Sequence, residues 1–167
     1  PHPDGRIVVV EKQRLAGLHA LSEIVDGRLV RKENPLDVEV MGRAPDGSLV
    51  LAGSRGIERH SSAGVSRIPL PPVPQEAGKR LSLLFLAAGD KELWLRIGGH
   101  GTWRFVNGKW TQFIVKGLDR PEIAMDKGGR VYLGSGSRLA MLVGEKIVEV
   151  AIDNPDFGTI MQIHAGE

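Results

Sequence analysis

The chain repeats itself, and the repetition narrows the possible folds more than any other feature. Asp4-Gly5-Arg6-Ile7-Val8-Val9 returns as Asp46-Gly47-Ser48-Leu49-Val50-Leu51. It returns again as Asp90-Lys91-Glu92-Leu93-Trp94-Leu95 and as Gly128-Gly129-Arg130-Val131-Tyr132-Leu133. The first apolar residues of the four units, Ile7, Leu49, Leu93 and Val131, lie 42, 44 and 38 residues apart. A second short strand follows in each unit: Gly17–Leu21, Gly56–His60, Gly101–Phe105 and Ser137–Met141. Turns come next, centred on Asp26-Gly27, Ala63-Gly64, Asn107-Gly108 and Val143-Gly144. Asn-Gly and Asp-Gly favour two-residue hairpins, because both central residues must take positive φ. Third strands are expected at Leu29–Arg31, Val65–Ile68, Trp110–Val115 and Ile147–Ile152. After a connector, Val38–Met41, Leu81–Leu86, Glu122–Met125 and Thr159–Ile163 lead into the next unit.

Four short strands in about 40 residues is the arithmetic of a β-propeller blade. One four-stranded meander cannot keep both of its faces dry, and stacking blades around an axis covers each face with a neighbour. Leu93, Leu95 and Ile97 keep the period of a strand with one inward face. Leu83–Ala88 is apolar without a break, as an innermost strand between two blades should be. The predicted fold is therefore all-β, with about four four-stranded antiparallel blades. The chain is expected to be a single propeller fragment, with blades at residues 1–37, 38–80, 81–121 and 122–156. Residues 157–167 would form an inner strand of a following blade or of the first. Composition agrees: 22 Gly and 10 Pro in 167 residues would break long helices. Leu, Ile, Val and Phe still total 49, enough for a core.

One segment can be read differently. Leu15, Leu18, Leu21 and Ile24 recur every three residues within Glu11–Val25, as on an amphipathic helix. Gly17 matches the glycine of two other units and favours strand. The first unit also lacks a preceding inner strand, while Phe157–Glu167 offers one. The ring could close within one chain or between two; the favoured reading is part of a larger propeller, since an open stack leaves bare edges.

Charge points to no polyanionic partner: Lys and Arg exceed Asp and Glu by 22 to 20, with no run of four basic residues. Nucleic acid is not an expected partner. The absence of Cys excludes thiolate metal sites, a Cys nucleophile and disulfides. The longest apolar run, Leu83–Ala88, is far too short to span a bilayer. Pro1-His2-Pro3-Asp4-Gly5 reads as a turn rather than a secretory leader, and the piece is expected to be soluble.

No chemical motif stands out. Gly98-Gly99-His100-Gly101 and Gly134-Ser135-Gly136-Ser137 are glycine-rich, but lack the Lys-Ser/Thr of a phosphate loop and read as hairpin turns. His2, His19, His60, His100 and His164 are scattered. His19 and Glu58 are placed at equivalent positions of successive blades, without forming a ligand set. Asp153-Asn154-Pro155-Asp156 lacks calcium-loop spacing and reads as a turn. The serines form no nucleophile elbow. Pro69-Leu70-Pro71-Pro72-Val73-Pro74 reads as a stiff polyproline connector. Trp103, Arg104 and His100 lie near one turn, but adjacent strand residues face opposite ways. Trp94, Trp103 and Trp110 are expected to pack one blade. No catalytic, cofactor or metal residues are assigned, and the binding residues are left unknown.

The repeat resembles the two-component-regulator propeller family, whose blades read approximately Asp-x-x-Gly-x-Leu-Trp-Ile-Gly-Thr, then Gly-Leu-x-Arg-Tyr, then Gly-x-Trp. Glu92–Trp110 matches best, followed by Asp126–Gly134, then Asp46–Gly53 with Gly56–Arg59. The tryptophan of the motif is present at Trp94, while Tyr132 and Val50 replace it elsewhere. The resemblance implies a non-enzymatic sensory module: the periplasmic input domain of a bacterial sensor kinase or diguanylate cyclase. Its partner would be a small molecule, a glycan or a protein at the propeller face, with no cofactor. It would meet the membrane only through a segment outside this chain, and a homodimer is possible. The complete gene is then expected to continue into a membrane segment and a cytoplasmic kinase or cyclase domain. Two other readings stay open. A propeller-scaffold enzyme, a lyase or glycan-acting hydrolase, requires clustered acid, base or metal residues in the channel. A protein-docking scaffold requires a large exposed apolar patch.

Overall fold

Short strands joined by tight turns account for the regular structure among the described residues. The computed structural model describes residues 7–12, 19–74, 80–114, 118, 121–126 and 128–152. Among these there are fifteen strands and no helix. The first sheet holds β1 (Ile7–Lys12), β2 (His19–Val25) and β3 (Arg28–Lys32). The second holds β4 (Val38–Arg43), β5 (Leu49–Gly53), β6 (Gly56–Ser61) and β7 (Gly64–Ile68). The third holds β8 (Leu83–Ala88), β9 (Glu92–Ile97), β10 (Gly101–Val106) and β11 (Lys109–Phe113). The fourth holds β12 (Glu122–Met125), β13 (Val131–Ser135), β14 (Arg138–Val143) and β15 (Lys146–Val150). Within every sheet the strands pair antiparallel in chain order, so each is a meander. The all-β repeat of propeller blades is thus present. Residues 157–167, the expected further inner strand, lie outside the described residues, as does 153–156.

The helical periodicity around Glu11–Val25 does not produce a helix in the described part. Ile7–Lys12 and His19–Val25 pair antiparallel from Ile7↔Ile24 to Lys12↔His19; residues 13–18 lie outside the described set. The Asp26-Gly27 and Asn107-Gly108 hairpins form as expected, with all four residues at positive φ. The other two turns sit one residue away from their predicted centres. Ser61 pairs with Gly64, so the loop is Ser62-Ala63 and Gly64 takes the positive φ after it. Val143 pairs with Lys146, so the loop is Gly144-Glu145. A lone glycine can serve before, within or after a tight turn, so its place in sequence does not set the register. The same register corrects the pairing of His19 with Glu58. Counted from the hairpins, Ser22 is the residue equivalent to Glu58.

The core lies between the sheets. Val8 and Val10 of the first sheet pack on Leu49 and Leu51 of the second. Val50, Ala52 and Ile57 meet Leu83, Leu86, Leu93, Leu95 and Ile97 of the third. Ala87 and Trp94 meet Ile123, Val131, Leu133, Ala140 and Leu142 of the fourth. Alternate residues of one strand therefore serve two different interfaces, the burial that the period-two pattern of Leu93, Leu95 and Ile97 demands.

At one end of the stack an arginine from the third strand of a sheet reaches the next sheet. Arg59 donates to Asp46 Oδ2 (2.9 Å) and to the Gly89 carbonyl of the third sheet (2.9 Å). Arg104 occupies the equivalent place. It donates to Glu92 Oε2 (2.8 Å) and to Glu145 Oε1 of the fourth sheet (2.9 Å), and its guanidinium lies 5.4 Å from the Trp94 ring centroid. Burial alone would lower the Arg104 pKa; the bonds to Glu92 and then Glu145 outweigh it and hold the group above its ordinary value. At Asp46 burial pushes upward, but bonds from the Ser48 hydroxyl and amide and from Arg59 bring its carboxyl below the usual range. These arginines are the Arg of the family-like Gly-Leu-x-Arg-Tyr motif, and here they rivet sheet to sheet. Arg104→Met is expected to cost about 1.5 kcal/mol, nearly all through the shielded Glu92 bond. Glu145→Ala should cost under about 0.5 kcal/mol, since Glu145 is exposed. Chemical denaturation of both variants checks this; equal losses would contradict it.

Candidate functional site

The opposite end of the stack carries the connectors and the hairpins between second and third strands. A cleft of about 410 Å³ opens there between the third sheet and the connector that leads to the fourth. Its floor comes from the ends of β9, β10 and β11: Arg96, Ile97, Thr102, Gln112 and Phe113. Leu84 and the connector residues Ile114, Leu118 and Pro121 complete the wall.

Local backbone chemistry explains the shape. The loop Gly98-Gly99-His100 turns with Gly99 and then Gly101 at positive φ, closed by the His100 amide on the Ile97 carbonyl (3.0 Å). The His100 carbonyl accepts two side-chain donors, Trp103 Nε1 (3.0 Å) and Gln112 Nε2 (3.1 Å). The Gly98 amide donates to the Ser82 carbonyl (2.8 Å). The loop is therefore tied down on both sides. The Arg96 guanidinium donates to Glu122 Oε1 across the sheet boundary (2.8 Å). Phe113 meets the buried Trp94 edge to face at 4.7 Å.

Leu84 departs from expectation. The unbroken apolar run Leu83–Ala88 predicts burial throughout, yet Leu84 is 50% exposed. The register of β8 against β9 shifts between Leu83 and Phe85, a bulge that leaves Leu84 extra and turns it into the cleft. The preceding inner strand shifts at the same place, between Val38 and Val40. There the extra residue is Glu39, whose carboxylate accepts the Leu83 amide (2.8 Å). Ile114, at 78% exposed, stands on the same wall as Leu84. Nothing in the residue order flags either side chain: the bulge arises from pairing, and Ile114 continues a strand-like run.

A second cleft, of about 550 Å³, occupies the same place on the second sheet. Gly56, Ile57, Arg67, Ile68 and Pro69 line it, at positions equivalent by register to Gly101, Thr102, Gln112, Phe113 and Ile114. The cleft is thus a feature of the repeat. At the riveted end a third recess, about 330 Å³, includes Arg104, Glu92 and Met125. Arg104 there is already engaged by two carboxylates.

The residues weighed from sequence are dispersed. His60 lies 3.2 Å from Glu58 on its own strand, and His100 sits in the blade-three loop. His2 and His164 lie outside the described residues, as does the side chain of His19. No group of three His, Asp or Glu residues close enough to hold a metal occurs among the described residues. Trp103 and Arg104 face opposite ways: Trp103 packs on the core shared with the second sheet, and Arg104 reaches the fourth. The polyproline stretch acts as connector, with the Pro69 carbonyl accepting Trp110 Nε1 (2.7 Å) and Val73 buried.

No protein-family model matches the chain, and no curated protein matches it. Solved structures do. Selenomethionine-substituted virginiamycin B lyase from Staphylococcus aureus superposes with a TM-score of 0.57 at 17% identity, over 92% of this chain and 54% of the lyase. A catalytically inactive form of virginiamycin B lyase from Staphylococcus aureus, solved with quinupristin, gives 0.52 at 16% identity, over 92% of this chain and 62% of that one. The extracellular domain of a protein described as a hybrid two-component system of B. thetaiotaomicron gives 0.58 at 12% identity, over 96% of this chain and 23% of that one. The chain therefore spans little more than half of the lyase structures. At such identities the likeness establishes the fold, a partial β-propeller.

Proposed function

We propose that the chain is a non-enzymatic, ligand-binding portion of a sensory β-propeller of the two-component-regulator type, held outside the cytoplasmic membrane. The observation that carries the reading is the cleft repeated at the connector end of successive sheets, with Leu84 and Ile114 displayed on its wall in the third. Holding two large apolar side chains in water costs free energy that a ligand covering them would recover. The blade motif around Trp94 and the fold shared with the two-component extracellular domain support the sensory context. The ligand, a small molecule, a glycan or a protein segment, would act by binding one arrangement of neighbouring blades more tightly than another.

The test is a thermal-shift panel of amino acids, short peptides, mono- and oligosaccharides, with hits recovered and weighed by mass spectrometry. A compound returned unchanged, whose affinity falls at least about tenfold in Ile114→Asp, is the expected result. Ile114 is so exposed that the variant should fold as the parent does. Affinity indifferent to both Ile114→Asp and Leu84→Asp would overturn the site. Chemical conversion of the ligand would overturn the non-enzymatic role and favour a lyase-like activity.

A further inference from the structure

The two repeated clefts share a frame but not a charge. Hairpin register puts Arg67 of the second sheet where the third has Gln112 and the fourth has Glu149. One position of the repeat thus carries a cation, a neutral amide and an anion in turn. In the third sheet the cleft residue Arg96 donates to Glu122 (2.8 Å), so its charge is met within the protein. In the fourth, Glu149 accepts from Arg138 (2.9 Å).

The second cleft instead presents two guanidiniums to the solvent. Arg55 is exposed on the turn between β5 and β6, and its side chain has no partner among the described residues. Arg67 is 85% exposed and holds one contact, from Nε to Glu58 Oε1 at 3.3 Å. A single pair so open to water neutralises it weakly, and Glu58 is shared with His60 (3.2 Å). The connector carboxylate of Asp37 is taken by the Ser54 hydroxyl (3.1 Å) and by Arg80 (2.6 Å). The other side chains of the lining are apolar: Leu36, Ile57, Ile68, Leu70 and two prolines. They come from the second sheet and from the connectors on either side of it, so one repeat builds the whole cleft.

We infer that the second cleft is selective for a small monocarboxylate with an apolar body. The planar fork of a guanidinium matches a carboxylate, and Arg55 and Arg67 supply two such forks to one opening. The apolar lining takes the rest of the molecule, in a volume of about 550 Å³ that suits a small ligand. A neutral molecule of the same shape keeps the apolar contact and loses the charge-assisted bonds. The inference rests on reading the repeated clefts as binding sites, and adds that successive blades select different charge.

Octanoate and octanamide are the probes, titrated into the isotope-labelled 167-residue chain and followed by amide chemical shifts. Octanoate is expected to give saturable shifts at Gly56, Ile57 and Ile68, with an affinity at least about tenfold above that of octanamide. Arg55→Gln and Arg67→Gln alter exposed side chains, so both should keep the parental fold. Each should lower octanoate affinity by about threefold to tenfold and leave octanamide unchanged. Octanamide bound as tightly as octanoate, or octanoate indifferent to both substitutions, would overturn the selectivity while the clefts stand as binding sites. The absence of saturable shifts at the second cleft would overturn it too, and the third cleft would still be judged separately by Ile114→Asp.

Discussion

Trp94→Ala is expected to lower the unfolding free energy by about 3–5 kcal/mol, the range for removing a fully buried aromatic. Trp94 has no exposed surface, fills the junction of the third and fourth sheets, and meets Phe113 edge to face. Against a total stability of roughly 5–15 kcal/mol, such a loss leaves a marginal fold. Its indole N–H is buried with no hydrogen-bond partner among the described residues. Trp94→Phe removes that unpaired donor along with one ring, so it should cost only about 1 kcal/mol. Urea denaturation of the two variants measures the difference. Equal losses would mean that the N–H has a partner and that packing is not the main term.

Gly53→Ala is expected to cost about 3 kcal/mol or more, although it adds one methyl group. A Cβ on Gly53 would fall inside van der Waals contact of the Leu36 and Asp37 carbonyl oxygens. These oxygens belong to a connector that cannot easily withdraw. The Asp37 amide donates to the Asn34 carbonyl (3.0 Å), Asn34 Oδ1 accepts the Val38 amide (2.7 Å), and Arg80 bridges to Asp37 (2.6 Å). Gly108→Ala is the control. No atom lies within 4 Å of its added Cβ, and only the positive φ of 77° opposes it. That variant should lose about 1 kcal/mol. Thermal melts that rank the two the other way round would show that the connector moves aside.

The motif resemblance around Trp94 named residues that the structure uses as joints. Arg59 and Arg104 clamp neighbouring sheets, and Trp94 fills the space between two of them. Such residues recur because every blade faces the same packing problem. For that reason they reveal architecture readily and binding chemistry hardly at all. The candidate site was not legible in this way. Its diagnostic side chain, Leu84, sits inside an apolar run that reads as core, and only the bulge opposite Ile97 and Arg96 turns it outward. The glycines of Gly98–Gly101 mark a turn in the sequence, but its place on the cleft wall depends on the connector residues Leu118 and Pro121 that line the same cleft.

Residue order alone determined the four-strand period, the alternation that sends Leu93 and Trp94 to different neighbours, and the Asp26-Gly27 and Asn107-Gly108 hairpins. These are local properties: φ preferences and two-residue periodicity act within a few positions of the chain. Tertiary structure alone decided the register of the remaining turns, the bulges at Glu39 and Leu84, and the pairing of Arg104 with Glu145. Each of these depends on what another sheet places opposite, and a contact across some 40 residues of chain leaves no signature in the residues on either side of it.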